Sequence, residues 1–213
     1  MLKFKIWTIQ RFYRIALFWW KWWSKLYRGM FHRKYRHIPL DESLTPSQVQ
    51  DKLDLVKWTK DSTKELWDSC GSPQWVQFVI DELEDGSPQP KGALDCDDFT
   101  SWAVHVVKKR YEPRVFSFVW IGTTLDPYGR EKKKTQGHAM CLLTDRQRVQ
   151  EKTPSKIYHI GNWGKSEPRL NLRNLCKDIL TKTGSGQAVA WSIMDKDLNV
   201  LEYGTGLPDA DVR

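Results

Sequence analysis

Phe99-Thr100-Ser101-Trp102-Ala103-Val104-His105-Val106-Val107 is followed, after a short basic break, by Val115-Phe116-Ser117-Phe118-Val119-Trp120-Ile121-Gly122-Thr123. The hydrophobic period changes between these two runs. In the first, Phe99, Trp102, Ala103, Val106 and Val107 recur at the spacing of one helix face, and Lys108-Lys109-Arg110 suits the negative end of the helix dipole. The second is dense in β-branched and aromatic residues, which fit a pleated strand. Upstream, Thr45-Pro46-Ser47-Gln48 is a capping box with proline at the first helical position. Pro73 opens another helix, with Val76, Val79, Ile80 and Leu83 on one side and Gly86-Ser87-Pro88 as its stop. Downstream, residues 139–143 and 157–160 read as strands, and residues 172–180 as a short helix closed by Gly184. Residues 187–194 and 198–203 form a terminal hairpin around Asp195-Lys196-Asp197. Helices first and an antiparallel sheet second predict an α+β fold.

The 213 residues suffice for one domain with its own core, or one domain plus an appendage. Hydrophobic residues at 40% and charged residues at 28% exclude a disordered chain and a membrane-embedded one. Near the N-terminus the longest uncharged stretch runs only from Ile15 to Trp20, far short of the roughly 20 residues a bilayer span needs. No cleavage site follows a clean apolar block, so a secretory signal is not expected. Cys70, Cys96, Cys141 and Cys176 form no C-x-x-C pair, which excludes a zinc ribbon and argues for a reducing compartment. No metal set and no cofactor are expected.

Charge divides the chain at residue 40. The first 40 residues hold ten of the 34 Lys/Arg and no acidic residue, which leaves 24 basic against 26 acidic side chains in the body. A nucleic-acid footprint over the whole protein is therefore not supported. Residues 2–28 contain no Pro or Gly and predict one helix, with Gly29 as its stop. Lys3, Gln10, Arg14, Lys21, Lys25 and Arg28 fall on a narrow stripe with Arg11 at its edge, and aromatic and aliphatic residues fill most of the remainder, with Lys5, Trp7 and Phe18 breaking the pattern. Such a helix is expected to bind an anionic membrane surface or a protein partner through Trp19, Trp20, Trp22, Trp23, Lys21 and Lys25. The plainer reading packs it on the body with the basic stripe solvated. Nucleic acid ranks third, because no stacking positions lie between the bases. Residues 29–40 read as a basic linker, which divides the chain into a segment 1–40 and a domain 41–213.

Leu94-Asp95-Cys96-Asp97-Asp98-Phe99 places a thiol in the first turn of the best-patterned helix, where the dipole favours thiolate. The flanking carboxylates oppose this, so activation needs a cation, and histidine is the usual source. His138, in Gly137-His138-Ala139-Met140, starts one predicted strand, and Asn162 ends the next. A hairpin with its midpoint near Gln150 sets positions 138 and 162 opposite each other, about 5 Å apart at Cβ. Asn162 could then orient the imidazole, giving nucleophile, base and orienter in the order Cys, His, Asn. His105 lies inside the helix, His32 and His37 lie in the linker, and His159 alternates away from Asn162. Cys141 projects to the opposite face from His138.

Taken together, Trp67-Asp68, Ser72-Pro73, Asp95-Cys96-Asp97-Asp98-Phe99, Gly137-His138-Ala139 and Asn162-Trp163-Gly164 resemble the transglutaminase-like cysteine peptidases of bacteria and their phages. The resemblance spans roughly residues 55–165. It implies a papain-like core, with Cys96 as nucleophile, His138 as general base and Asn162 as third member. Leu94 stands where that family usually has Gly, and Asn162 where Asp is more frequent. Cell-wall peptidases with a D-C-S-G-F motif match less well, since Asp97-Asp98 replaces Ser-Gly. The implied chemistry is acyl transfer on a protein or peptide amide, ending in hydrolysis or cross-linking. The backbone N–H of Cys96 supplies one oxyanion donor, and Gln89 or Gln77 is a candidate for the second. The alternative is a non-catalytic interaction or assembly protein that keeps the fold and docks through its N-terminal aromatic helix. A cytoplasmic location is expected, the host's if the chain is phage-encoded, with a membrane periphery or a virion as further settings.

Overall fold

The computed structural model describes residues 2–57, 70–90, 94–125, 131–144, 156–161, 163–183 and 186–209. Its helices are α1 (Leu2–Phe31), α2 (Pro46–Asp54), α3 (Pro73–Glu84), α4 (Cys96–Val106) and α5 (Leu172–Lys182). Its strands are β1 (Arg114–Leu125), β2 (Glu131–Thr144), β3 (Ile157–Ile160), β4 (Gly186–Met194) and β5 (Val200–Thr205). The strands form one antiparallel sheet in the order β3-β2-β1-β4-β5, so the fold is α+β.

Local chemistry fixes the helix starts. Thr45 Oγ1 accepts the Gln48 N–H at 3.3 Å, and Gln48 Oε1 accepts the Thr45 N–H at 2.9 Å, the reciprocal box expected of that sequence. Ser72 caps α3 by accepting from Trp75, and Asn171 caps α5 by accepting from Asn174. Gly86 closes α3 with φ +84°, a conformation open to glycine at no steric cost.

Alternation along the central strands makes two cores. Val115, Cys141, Leu143 and Ile160 face the helical layer with Phe99 and Trp102 of α4. Phe116, Phe118, Met140 and Leu142 face the other way, onto Leu172, Leu175 and Ile179 of α5. Cys141 thus lies on the helical-layer side, as its spacing from His138 predicted.

Three expectations need correction. β2 begins at Glu131, not near 139, because its polar first half pairs with the end of β1 as far as Leu125↔Glu131. α1 runs through Gly29 to Phe31. The supposed linker is docked: His32 is buried, its Nδ1 accepts the Ser72 N–H at 2.9 Å, and its ring lies 4.5 Å from that of Trp75.

α1 also lies the other way round from the stripe reading. Ile6, Tyr13, Leu17 and Ser24 are buried, and polar members of the basic stripe turn inward with them. Gln10 Nε2 donates to the Val189 carbonyl at 3.2 Å, and Lys21 Nζ donates to Asn199 Oδ1 at 2.5 Å. The Tyr13 hydroxyl lies 3.3 Å from Ser192 Oγ. Residues of segment 1–40 therefore share one hydrophobic cluster with the body.

Candidate active site

The N-terminus of α4 is held by a capping box and by the segment around Cys70 and Gly71. Asp95 accepts the N–H groups of Asp97 and Asp98 at 3.2 and 3.4 Å. Asp98 accepts the Asp95 N–H and, at 2.5 Å, the Gly71 N–H. A Cβ on Gly71 would stand 2.6 Å from Asp98 Oδ1 and 2.7 Å from the Trp75 ring, so glycine is required for that approach. From below, Arg28 of α1 donates to the Cys70 carbonyl at 3.0 Å, and to Cys70 Sγ and Ser101 Oγ at 2.8 Å each. Leu94, just before the cap, sits in the left-handed region at φ +76° with its side chain buried. A leucine accepts that strain only where packing holds it.

Cys96 is the single partly exposed thiol of the four; Cys70, Cys141 and Cys176 are buried. Burial pushes the Cys70 thiol up to about 11 despite Arg28, and raises those of Cys141 and Cys176 as well. Cys96 Sγ instead accepts the backbone N–H of Ala139 at 3.5 Å. β3 pairs only with residues 141–144 of β2, and strand N–H groups lie in the plane of the sheet. The sulfur therefore stands at the edge of β2, just beyond the last β3 pair and one residue from His138.

The His138 side chain lies on the face of the sheet opposite the helical layer. His138 pairs with Phe118, so both side chains lie on the α5 side, and the imidazole stacks on Trp163 with centroids 3.8 Å apart. Its Nε2 is buried with no hydrogen-bond partner among the described residues. Burial, with His159 adding repulsion, lowers its pKa to about 3. His159 is likewise held down at about 4, by burial and then Lys182. The histidine set aside from the sequence thus shares a face with the one chosen.

The hairpin register is one residue off the expected one. Cys141 faces Ile160 and Leu142 faces His159, not the pairing expected from a midpoint near Gln150, and β3 ends at Ile160. A one-residue slip reverses every side chain, and Trp163 takes the place against the imidazole expected for the asparagine. Asn162 itself lies outside the described residues, as do Trp67, Asp68 and Gly184.

Neither glutamine is placed as an oxyanion donor. Gln89 exchanges both amide ends with the Lys57 backbone, at 2.8 and 2.7 Å. Gln77 accepts from Trp102 Nε1 at 2.8 Å and donates to Asp81 at 2.7 Å. Both amides are structural. Among the partner residues proposed on α1, Trp19, Trp22 and Lys25 are exposed, whereas Trp20 packs against the core, Trp23 is half-buried and Lys21 is bonded to Asn199. Asp95, Cys96 and Asp97 bring ligand atoms within 4.8 Å of one another, but the Asp95 carboxylate is spent on the helix cap. They are assigned no metal.

Sequence reasoning missed the Ala139 N–H, the stacking of Trp163, and Arg28 as a support beneath α4. Trp163 was visible as the aromatic next to Asn162; the backbone donor leaves no mark in a sequence. No family model, curated protein or solved structure matches this chain.

Proposed function

We propose that this chain performs thiol-dependent acyl transfer on amide bonds, as a cysteine peptidase or amidase of the transglutaminase-like, papain-like kind. The observation that carries the reading is the setting of Cys96: a partly exposed thiol at the first residue of a capped helix, accepting an N–H one residue from His138. Leu94 adds support, since its positive φ falls at the position where the resembling family has Gly.

In this mechanism the Cys96 sulfur adds to the amide carbonyl and its proton passes to His138. The helix dipole and the Ala139 N–H favour the thiolate. His138 then delivers the proton to the leaving amine as the C–N bond breaks, and a thioester remains on Cys96. Water releases an acid, and a second amine releases a cross-linked product. Asn162, which lies outside the described residues, is carried as third member by the family resemblance alone. The cycle requires the His138 ring to leave Trp163 and meet the sulfur when substrate enters.

The second reading, a non-catalytic interaction protein that retains the fold, is favoured by that same stacked, buried imidazole. Alkylation with iodoacetamide at pH 7 separates the two. The enzyme reading expects Cys96 to react at least ten-fold faster than glutathione, and His138→Ala to remove the excess. A Cys96 rate at or below that of glutathione, or one unmoved by His138→Ala, overturns it.

A further inference from the structure

The packing of α1 leaves its most hydrophobic side outward. Phe4, Trp7, Ile15, Phe18, Trp19 and Trp22 are each 50–70% exposed, while Ile6, Tyr13, Leu17 and Ser24 face the core. At about 100° per residue these outward apolar residues cover roughly 120° of the helix surface, bounded on one side by Lys3, Arg14 and Lys25. Arg11 lies within this face, and Arg33, Lys34 and Arg36 are exposed just past the helix end. No acidic residue occurs in the first 40 positions. We infer that this face is a docking surface for an anionic lipid bilayer, with the helix lying along the headgroups and its indole and phenyl rings at the level of the acyl boundary.

Three observations choose a bilayer over a protein groove. A groove takes a helix by one narrow row of anchors, and here that row is already committed to β4 and the core. What remains is broad and aromatic and runs the length of a 30-residue helix, about 45 Å at 1.5 Å per residue, which suits a plane. Charge on and beside the face is of one sign, complementary to anionic headgroups. No helix among the described residues is long and apolar enough to cross a membrane, so the contact is one of lying on the surface. This inference does not depend on the chemistry assigned to Cys96.

Co-sedimentation of the full chain with vesicles tests it. Deleting α1 would expose the core, so variants on the outward face are used: Phe18→Ser/Trp19→Ser/Trp22→Ser, and separately Lys3→Glu/Arg11→Glu/Lys25→Glu. The intact chain is expected to bind phosphatidylcholine vesicles containing 30% phosphatidylserine at least ten-fold more tightly than pure phosphatidylcholine, and to lose most of that binding in 0.5 M salt. Each triple variant is expected to weaken binding at least ten-fold while its melting temperature stays with that of the parent. The inference fails if the parent ignores anionic vesicles at low salt, binds both lipid types equally, or binds as well with either triple variant. It fails equally if the parent self-associates through this face in solution and does not bind vesicles, which would make the face a protein interface.

Discussion

α1 and α4 are both rich in aromatic and aliphatic residues, yet they are buried by opposite rules. In α4 the apolar residues go in: Phe99, Trp102, Ala103 and Val106 are almost wholly covered, while Asp98 serves the cap, Thr100 and His105 bond to carbonyls of their own helix and Ser101 accepts from Arg28. In α1 much of the aromatic content stays out, while Ile6, Tyr13 and Leu17 pack inward beside polar contacts made by a glutamine, a serine, a tyrosine hydroxyl and an arginine. The neighbour explains the difference. α4 crosses the helical-layer face of β1 and β2, which is apolar; α1 meets β4 and its loop, where the Val189 carbonyl, Ser192 and Asn199 ask for partners. Hydrophobicity tells which residues gain by burial, and the surface opposite decides which are buried.

If that contrast is right, truncation in α4 has the largest effect. Trp102→Ala removes a fully buried indole and leaves Gln77 Oε1 without its donor. Loss of about 3–5 kcal/mol is expected in urea unfolding. A loss under 1 kcal/mol would mean that α4 is not the central helix of the core.

Arg28 comes next, because it joins the two regions. Its guanidinium spans Cys70 and Ser101, so Arg28→Ala should destabilise by about 2 kcal/mol, the scale of a charged hydrogen-bond set. The same change should slow alkylation of Cys96 if Arg28 supports the N-terminus of α4. Unchanged stability together with unchanged Cys96 reactivity would detach α1 from the site.

Acid sharpens the comparison at both ends of the molecule. His32 beside α1 and His138 and His159 on the sheet have folded pKa values near 4, 3 and 4, held down chiefly by burial. Between these values and the ordinary 6.5 the unfolded chain binds protons that the folded chain refuses. Stability is therefore intact above pH 6.5 and falls as pH drops toward 4, by up to about 1.4 kcal/mol per pH unit for each histidine. Urea midpoints measured from pH 7 to 4.5 check this, and a flat profile would show the imidazoles to be solvated. Protonating His32 also forfeits the bond that Nδ1 accepts from Ser72.

How far the sequence revealed this molecule follows from how local each signal was. The Thr45–Gln48 box, the Ser72 cap and β3 at residues 157–160 depend on neighbours in the chain and were legible. Glu131–Gln136 was not: it is mostly charged or polar, with no alternation, and pairs because β1 is long enough to recruit it. Gly29 carries no strand or turn demand from its surroundings and simply continues the helix. At the site, Cys96 and His138 were visible as chemistry, but the facing of His138 depends on strand register, which one residue alters. The orientation of α1 depended on acceptors some 180 residues away, which its own periodicity cannot report.

The smallest expected effect is the one most particular to the contrast. In an ordinary amphipathic helix, replacing tryptophan by serine on the larger apolar face should unfold the protein, as Trp102→Ala is expected to. On α1, Trp19 and Trp22 are 57% and 50% exposed and stack edge-to-face on each other at 5.7 Å, so their removal forfeits little that folding had gained. Trp19→Ser/Trp22→Ser should shift stability by less than about 0.5 kcal/mol, the range of surface changes away from caps and cores. Trp20 is the matched control from the same cluster, since it packs against the core. Trp20→Ser should cost about 2 kcal/mol or more in the same urea titration. Equal losses for the inner and outer tryptophans would mean that α1 turns a different side to the sheet, and the aromatic face would then be core.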